Sequence, residues 1–136
     1  MRDIPCEIDD FAASLESLLA DVPGACADGC ERAVRQSVRD TAKKLRGGEF
    51  GNRGAEEWSD EYMGGFASHM VKGGMTPEGE VGNKAKPGLV HLLEKGHMTL
   101  NHARRTRSFP HMAPAFDDMV EEFPERVEKQ VRRALR

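Results

Sequence analysis

The chain has no apolar run approaching the roughly 20 residues that a membrane-spanning helix needs. Its opening, Met1-Arg2-Asp3, leads into acidic residues and lacks the apolar core of a signal peptide. Assembly in a cytosol is the expectation. Neither sign of charge dominates: 20 Lys and Arg stand against 23 Asp and Glu, and the formal net charge of −3 does not by itself imply nucleic acid or a membrane. Cysteine is scarce and odd in number, with Cys6, Cys26 and Cys30 only. Cys26 and Cys30 are one helical turn apart, but no second pair completes a zinc site. Reduced thiols packed as small hydrophobes are expected, rather than disulfides or a metal centre. The phosphate-binding pattern Gly-x-x-x-x-Gly-Lys-Ser/Thr, the zinc-protease order His-Glu-x-x-His and the nucleophile elbow Gly-x-Ser-x-Gly are all missing.

What is there suits one globular domain. The 136 residues are 38% hydrophobic and 32% charged, enough to bury a core in a rather polar chain. Asp9 and Asp10 can cap a first helix whose stripe is Phe11, Leu15, Leu18, Leu19 and Val22, with Pro23-Gly24 as its end. A second helix follows from about Asp28 to Arg46. Cys30, Val34, Val38 and Leu45 line its buried side beside Ser37, Thr41 and Ala42, while Arg32, Arg35, Arg39, Lys43 and Arg46 line the other. Residues 47–57 read as a glycine-rich connector. Tyr62, Phe66 and Met70 recur at even spacing, which predicts a strand from Trp58 to Val71, with Gly64-Gly65 as a bulge. A turn over Gly73–Gly79 and a return strand over Glu80–Lys84 complete a hairpin. The last helix, 113–136, carries Phe116, Val120, Phe123, Val127, Val131 and Leu135 on one face. Asp117 and Asp118 are expected in its first turn and Arg132, Arg133 and Arg136 in its last, as the helix dipole favours. Pro124 should kink or restart it.

The chain is organised around residues 86–116. Leu89, Leu92 and Leu93 at i, i+3, i+4 form one apolar face of a short helix, 88–95, and Gly96 stands where it stops. After a basic loop, Phe109-Pro110-His111 closes an extended segment, and Pro114 falls in the first turn of the last helix, where a missing N–H costs nothing. Two helix boundaries therefore face each other across a loop.

The string Leu89-Val90-His91-Leu92-Leu93-Glu94-Lys95-Gly96-His97, with Phe109-Pro110-His111-Met112-Ala113-Pro114-Ala115 after the basic loop, resembles a tailed-phage family. Its members are small head–tail joining proteins, described as tail components, neck or tail-completion proteins. Met112 stands where the family usually has Ile, and Asn101–Arg107 lacks the glycines often found in that loop. The resemblance implies a structural virion component at the head–tail junction or tail end, with no enzymatic activity and no cofactor. Its implied partners are copies of itself in a ring, neighbouring connector and tail-tube or terminator proteins, and genome DNA passing through the lumen. Arg104, Arg105, Arg107, His97, Glu94, Phe109 and His111 are the assembly candidates. Leu89, His91, Leu92, Leu93, Gly96, Pro110 and Pro114 are the structural motif. The segments Gly47–Gly54, Gly73–Gly79 and Asn101–Arg107 would order on assembly.

Two other classes are open on the residues. His91, His97, His102 and His111 gather around Glu94, which would suit a small metal-dependent nucleic-acid enzyme. His97 could then pair with Glu94. The basic side of the second helix would suit a DNA-binding module, although a solvated face is commoner; the loop arginines have no aromatic residue between them to stack bases. The expected architecture is α+β: a small antiparallel sheet packed with two N-terminal helices, a short central helix and a long C-terminal helix.

Overall fold

The computed structural model describes residues 4–50, 59–98 and 104–135. These residues form an α+β fold, with four helices and one two-stranded antiparallel sheet among them. The N-terminal part holds a single helix, α1, Ile4–Arg46, of 43 residues, or about 65 Å at 1.5 Å per residue. It replaces the two helices expected on either side of Pro23-Gly24. Pro23 removes one bond from the ladder without ending it. Gly24 is not among the glycines with positive φ, so it does not supply a left-handed closing residue. That residue is Gly48, with φ 74°, and the Glu49 N–H donates back to the Lys44 carbonyl at 3.1 Å. The two halves of α1 differ in role. Its described side chains from Asp9 to Asp21 are exposed, and the first of the described residues to be buried is Ala25. Beyond it Ala33, Ser37, Val38, Thr41, Ala42 and Leu45 are buried, with Val34 half-buried at the edge of that face. Cys26 and Cys30 are free, half-buried thiols; the side chains of Cys6 and Leu18 lie outside what is described.

The strand expected from Trp58 begins later. Trp58 lies outside the described residues, and Tyr62 is helical, in α2, Asp60–Gly64. The reason is local: the Ser59 hydroxyl accepts from the Tyr62 N–H at 3.2 Å, and Asp60 and Glu61 place negative charge in the first turn. Gly65 caps this helix instead of forming a bulge. Strand β1, Phe66–Lys72, then pairs with β2, Glu78–Asn83, in the register Phe66↔Asn83, Ser68↔Val81 and Met70↔Gly79, and the irregularity falls between Met70 and Lys72. The hairpin lies directly on α1, for a Cβ on Gly79 would come within 2.8 Å of Val38.

Helix α3, Leu89–Lys95, is short, and α4 runs Met112–Ala134 through Pro124 without restarting. Helix α4 lies antiparallel on the second half of α1: Gly29 meets Val131, Asp40 is 2.7 Å from Arg126, and Lys44 is 2.8 Å from Asp118. A Cβ on Gly29 would stand 2.7 Å from the Val131 Cα, so the missing side chain sets how closely these helices cross. Asp118 holds the Lys44 ammonium and raises its pKa, against some desolvation. Leu45, Tyr62, Phe66 and Ala115 form the core, with Met63, Val81, Val90, Leu93 and Met112 packed round it. The apolar stripe of α4 is only partly used there, since Phe116 remains 59% and Val120 50% exposed. Arg136 lies outside the described residues.

Candidate functional site

The two sequence segments that stand out, 89–97 and 109–115, interlock through one carboxylate. Because α4 begins at Met112, Asp117 and Asp118 fall beyond its first turn, which carries no acid of its own. Glu94, from the last turn of α3, supplies the missing charge. Its Oε1 accepts the backbone N–H groups of His111 and Met112, both at 2.5 Å, and its Oε2 accepts that of Ala113 at 3.4 Å. Those N–H groups have no partner within their own helix, and a carboxylate is the group the positive end of the helix dipole favours.

Glu94 also holds the His111 ring. The expected Glu94–His97 pair is not formed; Glu94 Oε1 lies 2.7 Å from His111 Nδ1. Chain geometry explains the choice. Gly96 turns the backbone with φ 71° and ψ 172°, a conformation open essentially to glycine alone. That turn sends His97 outward, where its N–H donates to the Thr106 hydroxyl at 2.9 Å. His111 is 0% exposed and sits edge-on to Tyr62 and Phe66, ring centroids 6.0 and 5.8 Å away. Its Nδ1 faces two acceptors, the Glu94 carboxylate and, at 2.9 Å, the Phe109 carbonyl, an arrangement that suits a proton on Nδ1. Nε2, on the other side of the ring, shares a hydrogen bond of 2.7 Å with the Tyr62 hydroxyl. Burial first, and the nearby Glu94 charge second, push the Tyr62 pKa up from 10.0 to about 12. The tyrosine hydroxyl therefore keeps its proton across the physiological range.

The basic loop is tied to the same junction. Residues 101–103, including His102, lie outside the described residues. Beyond them Met98 bridges to Arg105, the Thr106 N–H donates to the His97 carbonyl at 2.7 Å, and the Phe109 N–H to the Leu93 carbonyl at 2.6 Å. Arg105 donates to the Lys95 and Gly96 carbonyls at 3.0 and 3.3 Å, closing the C-terminal end of α3 as a cation there should. The Arg107 guanidinium lies over the Phe109 ring, 5.3 Å from its centroid. Arg104 and Arg107 are exposed. Of the structural-motif residues, Leu92 and Leu93 are half-buried, while Leu89, His91, Pro110 and Pro114 face outward.

Sequence reading missed two members of this unit. Even spacing puts Tyr62 on a strand face, although Ser59-Asp60-Glu61 is a helix-start signal. Asn83 is buried; it donates to the Tyr62 carbonyl at 2.6 Å and accepts from the Ala85 and Lys86 N–H groups at 3.0 and 2.8 Å. Asn followed by a polar turn carries that signal locally. A second feature lies on the far side of α1 and α4, where Arg32, Arg35, Arg39 and Arg133 surround an open concavity with Gln36, Gln130 and Asp40. Among the described residues, no three His, Cys, Asp or Glu side chains come together as metal ligands would, and no helix is long and apolar enough to cross a membrane. No known protein family, curated protein or solved structure matches the chain.

Proposed function

We propose that this chain is a structural protein of a tailed phage or prophage that joins head to tail. It works as a ring of identical copies, between connector and tail-tube or terminator proteins, and catalyses no reaction. The observation that carries this reading is the Glu94 junction. The residues that resemble the neck and tail-completion proteins are those whose backbone and side chains lock α3 to α4, so the shared pattern has a mechanical meaning. His111 is buried and engaged at both ring nitrogens, and His97 is engaged with Thr106. These histidines serve as joints rather than as an open ligand set. The basic concavity on α1 favours a contact with DNA in the lumen of such a ring, an electrostatic contact that weakens with salt.

The test is the mass of the purified protein in solution, alone and mixed with the connector and tail-tube proteins encoded beside it, with metal content read from the same sample. A metal-free protein that joins those partners is the expected result. A stoichiometric metal with no partner binding refutes the assignment and returns His91 and His97 to consideration as ligands.

A further inference from the structure

Phe11, Leu15, Leu19, Phe116 and Val120 are exposed large apolar side chains that fall into two groups, neither covered by any described residue. One is a ridge on the first half of α1, where Phe11 is 69% and Leu19 60% exposed, with Leu15 between them. The other is a trough of about 200 Å³ between α4 and β2, lined by Val34, Val38, Gly79, Phe116, Val120 and Phe123. A second hollow of about 160 Å³ shares Val38, Gly79 and Phe116 with it and lengthens it. Contiguous apolar surface of this kind marks an interaction site.

We propose that the first half of α1 is an arm that docks into the α4–β2 trough of a second copy of this chain. Three observations favour that occupant. The ridge, at i, i+4, i+8, is about 12 Å long, and Phe116, Val120 and Phe123, at i, i+4, i+7, line about 10 Å of trough. Ridge and trough therefore match in length. A copy cannot fill its own trough: α1 is one continuous helix, and Val34 lies on it about 22 Å along the axis from Leu19. Finally, two arms cannot readily cover each other. Asp9, Asp10, Glu16 and Asp21 are exposed on the arm, and no Lys or Arg occurs from Asp3 to Glu31, so arm against arm sets like charges side by side. With the ridge inward in the trough, Asp10 and Asp21 point away towards solvent.

The contact is heterologous, since each copy gives an arm and receives one, and such contacts close into rings when the rotation allows. A single short arm falls below the roughly 800 Å² per partner of a standard interface. A ring in which every copy both gives and receives doubles the area per copy. The inference deepens the ring assembly proposed above and rests only on copies of this chain associating, not on the phage assignment.

Sedimentation velocity of the full chain over a concentration series tests it, with a thermal melt of each variant as the folding control. The wild type is expected to associate, and more strongly as salt rises, because Asp117 and Glu121 on the exposed side of α4 add repulsion that salt screens. Phe11→Ser with Leu19→Ser, and separately Phe116→Ser with Val120→Ser, should each weaken association at least about tenfold. Mixing the two variants should give a dimer and nothing larger, because only one intact arm and one intact trough then remain per pair. A wild type that stays monomeric throughout overturns the proposal, whether or not it binds tail proteins. So does a mixture that stays monomeric, and so do variants that associate like the wild type; a trough variant that still associates on its own indicates arm-to-arm pairing. Failure of the head–tail reading would appear separately, as a self-associating protein that joins no connector or tail-tube protein.

Discussion

Glu94→Ala should be among the most damaging single changes outside the core, and the structure gives its size. Three backbone N–H groups at the start of α4 lose their acceptor, and the buried His111 ring loses the carboxylate beside Nδ1. Loss of a helix cap alone costs about 1 kcal/mol, with an upper range near 2. Leaving a buried polar group short of a partner adds about 1–3 kcal/mol. Water reaching the vacated space recovers part of this, so a net loss of about 3 kcal/mol is expected, or roughly 10 °C in Tm for a domain of this size. Glu94→Gln separates the two contributions. Its carbonyl oxygen still accepts from His111 and Met112, while its amide meets the Ala113 N–H donor to donor, so about 1–2 kcal/mol should be lost. Thermal and urea unfolding followed by circular dichroism give both values. If Glu94→Ala melts within about 2 °C of the wild type, the carboxylate is not what joins α3 to α4, and the account of the junction is wrong.

The remaining predictions concern single positions with clean readouts. The chain has one tyrosine, and its pKa is pushed up to about 12 in the folded state. A folded-state pKa above the unfolded one stabilises the fold fully below pH 10, and that stabilisation is lost as pH rises towards 12. Tyrosinate absorbance should therefore appear in that window together with unfolding; titration near 10 with the fold intact would contradict the buried hydrogen bond to His111. Gly29→Ala should destabilise by about 2 kcal/mol in urea melts despite better helix propensity, because its Cβ would meet the Val131 backbone. Gly96→Ala should cost more than about 2 kcal/mol by the same assay, since it combines a positive φ with a Cβ 2.5 Å from the Thr106 carbonyl oxygen. Stability equal to the wild type in either variant would refute the close approach inferred there.

The sequence was legible where one local signal had no rival. The α+β class, the hairpin, the short helix closed by Gly96 and the buried face of α1 at Ser37, Val38, Thr41, Ala42 and Leu45 follow from periodicity and glycine placement, while the fully buried Ala33 lies outside the stripe expected there. It misled where two local signals competed. Even spacing of Tyr62, Phe66 and Met70 suggested a strand, but the Ser59 cap took Tyr62 into a helix, and only the later residues kept the alternation. The Glu94–His111 pairing was out of reach of spacing. His97 is nearer in sequence, and only the turn at Gly96 removes it while Phe109 and Pro110 bring His111 back. The arm was hidden by the same pair of residues that suggested a boundary.

That pair makes the last prediction the most informative about α1. Pro23 deprives the Leu19 carbonyl of its ladder partner, and an interior proline costs about 3 kcal/mol relative to alanine. Gly24 adds about 1 kcal/mol of unfavourable propensity and has nothing within 4 Å that a methyl group would strike. Both residues lie before Ala25, the first buried residue of α1 among those described, so they act on the arm and not on the core. Pro23→Ala with Gly24→Ala should therefore raise helical content and slow amide exchange from about Asp9 to Asp21, while leaving the global urea midpoint within experimental scatter. Local opening of this kind is separable from global unfolding. A midpoint that rises with the helicity would mean that the arm unfolds together with the core. The arm would then be packed within a single copy, contrary to the bare ridge at Phe11, Leu15 and Leu19.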